Sequence, residues 1–162
     1  MIRRAKPRSV HSQLGRMERR WPELKPRLTH GNDLVMWVGP LRGFQMSYQV
    51  QVQWEWQNRL AVPLVFILEP KLRPREFEDF LDLPHLRFNS EKPEDSALCL
   101  HDPETGEWNN TMLIADTTVP WASEWLHHYE IWHLYGAWRG ANAPGPISIR
   151  EMRELKCEAH DG

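Results

Sequence analysis

The chain has 162 residues, 41% of them hydrophobic, which suits one domain with one modest core. The formal charge is −2, the two cysteines lie far apart, and no apolar run approaches the roughly 18 residues of a membrane span. These features argue against a disulfide scaffold, a four-ligand zinc centre, a secretion signal and a transmembrane protein, and make the cytoplasm the expected compartment. Thirteen prolines and nine tryptophans point to pinned loops around an aromatic core.

Val10, Leu14, Met17 and Trp21 fall at helical spacing, so residues 9–21 read as an amphipathic helix stopped by Trp21-Pro22 and Lys25-Pro26. This head is basic: Arg3, Arg4, Lys6, Arg8, Arg16, Arg19, Arg20, Lys25 and Arg27 face only Glu18 and Glu23 before residue 28. Leu34 to Val38 is an apolar run closed by Gly39-Pro40, which predicts a strand ending in a turn. Tyr48, Val50, Val52, Trp54 and Trp56 alternate with polar residues, giving a strand with one wet face. Val62 to Leu68 supplies a third strand, and Pro70 and Pro74 pin the loop behind it. An antiparallel meander follows from this order.

Residues 75–83 suit a short helix or turn, and Leu86 to Phe88 a fourth short strand. The polar loop Glu91 to Ser96 then delivers the chain into Ala97-Leu98-Cys99-Leu100. Pro120 at a first turn, followed by Trp121, Trp125, Tyr129 and Trp132, marks a strong helix that Gly136 ends. The stretch Gly136 to Pro146 reads as irregular, and Ile149, Met152 and Leu155 allow a last short helix before a frayed tail.

A cysteine between two leucines is ordinarily a packed thiol. Here His101, Asp102 and Glu104 follow at once, and Pro103 with Gly106 builds a turn, which puts Cys99 at the edge of the core. A nucleophilic thiol needs partial exposure and neighbours that handle protons, and His101 with Asp102 supplies an imidazole and a carboxylate within three residues.

Pro63-Leu64-Val65-Phe66, Glu69-Pro70, Pro74, Pro84-His85, Ala97-Leu98-Cys99-Leu100 and Trp108, in that order after a helix and a meander, resemble the core of ubiquitin-conjugating enzymes. The run from Leu98-Cys99-Leu100-His101-Asp102-Pro103 through Glu107-Trp108, Pro120-Trp121-Ala122, Glu124-Trp125-Leu126, Tyr129-Glu130 and Trp132 to Gly140 is similar to the small bacterial conjugating-enzyme-like proteins of CBASS antiphage operons. The resemblance covers about residues 10–145. It implies an α+β fold of the ubiquitin-conjugating type, as a single domain over 1–162: N-terminal helix, antiparallel meander, active-site loop, central helix, reduced C-terminal helices.

It also implies a thioester between Cys99 and a protein C-terminus, that of a cGAS-like nucleotidyltransferase, followed by transfer to an amine of an acceptor protein. The chain looks like the shorter operon type, which has no separate activating enzyme. His85 is followed by Leu86 where the family carries Pro-Asn, so the asparagine expected to steady an oxyanion is missing. Asn89 is its candidate stand-in, beside backbone N–H groups near Leu100. His101 is the expected proton acceptor, Asp102 its orienting partner, and His85 and Trp108 supporting residues; no cofactor or metal is expected.

Other constellations carry less. His127, His128, His133 and Glu130 lack ligand spacing on one helix face. The stripe Trp121, Trp125 and Trp132 reads as core before it reads as a base-stacking platform, and Gly136 to Gly140 lacks phosphate-loop spacing. The basic head has no interleaved aromatics, which disfavours nucleic acid; by the resemblance it is a protein-docking face. The rival to the enzyme is a non-catalytic module that keeps the fold and docks a partner.

Overall fold

The computed structural model describes residues 5–29, 31, 33–102, 105–138 and 148–158. In chain order these form α1 (Val10–Arg20), β1 (Lys25–Thr29), β2 (Leu34–Arg42), β3 (Ser47–Glu55), β4 (Leu64–Glu69), β5 (Leu86–Arg87), β6 (Ala97–Leu98), α2 (Thr118–Tyr135) and α3 (Ile149–Glu158). The architecture is α+β and consistent with a ubiquitin-conjugating-like fold. Strands β1 to β4 make an antiparallel sheet in sequence order, and β5 and β6 form a separate hairpin.

Alternation decides which face of the meander is buried. Val35, Trp37 and Leu41 of β2, Tyr48, Val50, Val52 and Trp54 of β3, and Val65 and Ile67 of β4 point into one core. Val119, Ala122, Trp125, Leu126, Tyr129 and Trp132 of α2 close it from the other side. The helix ends as its sequence directs: Gly136 takes a left-handed φ of 75°, and its N–H donates to the Trp132 carbonyl at 2.8 Å.

Two expectations need correction. The strand from Leu34 does not turn at Gly39-Pro40 but runs on to Arg42, with Pro40 opposite Gln49. Proline is tolerated there because β1 covers β2 only as far as Val38, so the missing N–H leaves no ladder bond unmade. Nor does Lys25-Pro26 merely stop a helix: it opens β1, a largely exposed strand whose residues show no period to read. Of the alternatives for 75–83, the turn is the one formed. The strand at Leu86 pairs with β6 rather than joining the meander. The last helix reaches Glu158; of the stretch Gly136 to Pro146, expected to be irregular, the part from Arg139 on lies outside the described residues, as does the tail after Glu158.

Polar anchors fix the layers. Gln13, 1% exposed, accepts from the Ile114 N–H and donates to the Met112 carbonyl, both at 2.9 Å, which ties α1 to the turn before α2. Trp21 donates its indole N–H to the Ala115 carbonyl, and Arg16 pairs with Asp116. On α2, the Glu130 carboxylate accepts from the backbone N–H groups of Gln45 and Met46 and so latches the β2–β3 turn.

Gly39 shows how tight the α1–β1 link is, since a Cβ there would stand 2.2 Å from the Glu23 carbonyl oxygen. Gly39→Ala should therefore lower the urea-unfolding free energy by about 1–3 kcal/mol, as overpacking against backbone does; a wild-type midpoint would contradict that close approach.

Candidate active site

Strands β5 and β6 put Leu86 opposite Leu98 and Arg87 opposite Ala97. One step further the Cys99 N–H donates to the His85 carbonyl at 2.9 Å, and there the pairing ends. The two leucines are buried, while Cys99 is half-buried at the hairpin's open end. The same His85 oxygen accepts the indole N–H of Trp125 at 3.0 Å, so one acceptor binds both the cysteine segment and α2.

His85 itself has a left-handed φ of 51°, a conformation uncommon outside glycine and held only where surroundings dictate it. Its ring is buried 5.2 Å from that of Trp138, which lies equally close to Trp125. Burial pushes the His85 pKa down, and nearby His128 adds to the effect. Its Nε2 makes no hydrogen bond among the described residues.

The Cys99 sulfur lies 3.6 Å from the backbone carbonyl of His101. Burial raises the thiol pKa; the Arg87 guanidinium pulls it back down, while the Asp102 and Glu107 carboxylates push it up. His101 is buried, its ring 6.2 Å from Trp121, and its Nδ1 has no partner among the described residues. Burial, with Arg87 second, lowers its pKa, so the ring is neutral at pH 7. The recorded contact between Cys99 and His101 thus runs through backbone, with the imidazole turned toward Trp121.

The Asp102 N–H donates to the Glu107 carboxylate at 3.2 Å, and the Thr105 hydroxyl to the Asp102 carbonyl, which folds the loop behind the cysteine. Pro103 and Glu104, expected in that turn, lie outside the described residues. The structure therefore gathers Cys99, His85, His101 and Asp102. It leaves Asn89 at the hairpin's other end, where its N–H donates to the Ser96 hydroxyl and its side-chain carbonyl accepts from the Glu91 and Lys92 N–H groups. Trp108 is a core residue, edge-on to Trp54 at 6.5 Å.

Arg87, Glu107, Trp125 and Trp138 were not among the residues that sequence patterns singled out for the site. Arg87 becomes visible only once the hairpin register is known. The α2 histidines diverge: His127 packs on Phe44, His128 lies 3.6 Å from Glu124, and His133 meets the Arg73 carbonyl. Among the described residues no group of three or more His, Cys, Asp or Glu side chains could hold a metal ion, and no helix is long and apolar enough to cross a membrane.

Residues 13–146 match the model of a family described as Type II CBASS E2 protein. That span takes in the meander, the hairpin and α2, and stops short of α3. No curated protein matches the chain.

Three histidines, His85, His101 and His133, have pKa values pushed down chiefly by burial. The unfolded chain takes up these protons near about pH 6.5, the folded chain only at lower pH. Between those values the unfolded state holds more protons, so stability falls as pH drops below about 6.5. Asp82, Asp95 and Asp116, whose pKa values are lowered, act on the same linkage only below about pH 4.5. The urea midpoint should be level from about pH 7.5 to 8 and decline from about pH 6.5 to 5, with a shallower decline in His101→Gln. It should decline again above about pH 8.5, where the unfolded Cys99 thiol loses its proton before the buried one. An equal acid-side slope in His101→Gln would remove His101 from the account.

Proposed function

The chain belongs to the Type II CBASS E2 protein family, and on that premise we propose that Cys99 is its acyl carrier, taking the C-terminal carboxyl group of a cGAS-like nucleotidyltransferase as a thioester and passing it to an amine. Membership supports a conjugating-type role among other CBASS proteins; the cysteine chemistry and the identity of the partner are the added steps. What supports them is position. Cys99 leaves the hairpin half-exposed, with its N–H fixed by a buried carbonyl and its sulfur beside the proton-handling segment His101-Asp102.

In the first step the Cys99 sulfur attacks the carbonyl carbon of an activated C-terminal acyl group. The sulfur–carbon bond forms, the bond to the activating group breaks, and the thiol proton passes to His101 or to water. In the second step an amine attacks the thioester carbonyl: the nitrogen–carbon bond forms, the sulfur–carbon bond breaks, and the proton lost by the nitrogen passes to the departing sulfur or to water. A neutral imidazole suits His101 to accept a proton, and Asp102 supports its cationic form through its backbone and its charge. Of the two groups expected to steady the oxyanion, the Leu100 N–H follows Cys99 directly, whereas Asn89 stands at the hairpin's far end.

The test is a non-reducing gel after incubation with a cGAS-like nucleotidyltransferase carrying a C-terminal glycine thioester. The expected result is an adduct that reductant removes, that is absent in Cys99→Ala, and that persists in Cys157→Ser. Binding of the nucleotidyltransferase without any adduct in the wild-type chain would replace the carrier by the non-catalytic docking module.

A further inference from the structure

Arg87 has no role in the steps above. It lies opposite Ala97 in the hairpin, and successive residues of a strand point to opposite faces, so Arg87, Ala97 and Cys99 share one face while Leu86 and Leu98 fill the other. Arg87 and Cys99 are diagonal neighbours on that face, a relation that long side chains span. Arg87 is half-buried as a residue and forms no ion pair with a carboxylate among the described residues. Arginine keeps its charge at any working pH, so that face carries a standing positive charge with no counter-ion among the described residues.

We propose that Arg87 is a positioning residue that supplies the counter-charge for the Cys99 sulfur, favouring the sulfur anion when it forms before attack and again when it leaves the thioester. When the thiol gives its proton to His101 or water, the electron pair stays on sulfur and faces the guanidinium. Arg87 acts through Cys99 and carries out no bond change itself. The other groups acting on this sulfur are the carboxylates of Asp102 and Glu107 and the backbone at His101; among the described residues Arg87 is the one cation that acts on it. Its field also reaches His101, where it works against the imidazolium. The same charge thus favours the sulfur anion while opposing a resting proton on His101, so a proton taken up by that ring is passed on to water.

The meaning of this charge rests on the carrier role of Cys99, but its test requires no partner and no activated acyl group. In a Cys157→Ser background, which removes the exposed thiol of α3, the rate of alkylation by iodoacetamide is followed against pH. Iodoacetamide reports the sulfur anion, which displaces iodide. Arg87→Gln and Arg87→Met should shift the profile to higher pH and slow alkylation at pH 7.5 by about threefold to tenfold, the scale of losing one nearby opposite charge. Arg87→Lys should stay within about threefold of wild type, and Glu107→Gln should move the profile the other way.

Loss of the hairpin would expose Cys99 and lower its pKa toward the ordinary thiol value, so unfolding cannot imitate the expected rise. A profile that fails to rise in either neutral variant whose circular dichroism matches wild type overturns the proposal. A rise in those variants, together with no thioester in the wild-type chain, would keep the counter-charge and discard the carrier.

Discussion

The site depends on a single buried oxygen, the His85 carbonyl, which accepts one N–H from Cys99 and another from Trp125. A hairpin with two residues in each strand does not hold its own register in water. Its register is held here because one end is bonded to the central helix through an indole that the aromatic core already orients. The left-handed backbone at His85 costs about 1–3 kcal/mol. Two hydrogen bonds on its oxygen, each worth about 1 kcal/mol net, together with burial of its ring, offset that cost.

From this anchor the electrostatics follow. The cysteine is placed where burial works against its ionisation, and among the described residues the charges acting on it divide between one cation in β5 and two carboxylates in the following loop. The two histidines beside it are also buried and held neutral. Such a resting site keeps its thiol protonated and its imidazoles uncharged. That arrangement disfavours idle oxidation of the Cys99 sulfur, which follows thiolate character and exposure.

The elements with a clear period were legible in the sequence: the helix under Met17, the alternating strand from Tyr48, and the tryptophan helix that closes at Gly136. The strand β1 was not, because Lys25-Pro26-Arg27 packs against nothing that would demand alternation. The continuation of β2 through Gly39 and Pro40 was hidden for another reason, since a turn signature is overridden when the neighbouring strand has already ended. At the site, Cys99, His101 and Asp102 could be picked out by chemistry and contiguity. Arg87 could not, because its relation to Cys99 passes through a register of two residue pairs that no local pattern records. Asn89 was attractive as a side-chain type, but its carbonyl is occupied by the turn at Glu91 and Lys92.

The exposed strand β1 closes one side of the meander with a lysine, a proline and an arginine in succession. An edge strand offers unpaired backbone groups to any passing chain, and natural sheets blunt that invitation with charge and with proline. Pro26 withholds a donor, and Lys25 and Arg27 would meet their own like in a second copy. A sheet rich in buried valine and tryptophan is thereby discouraged from growing by strand addition. The same basic segment that looked at first like a handle for partners also limits self-association.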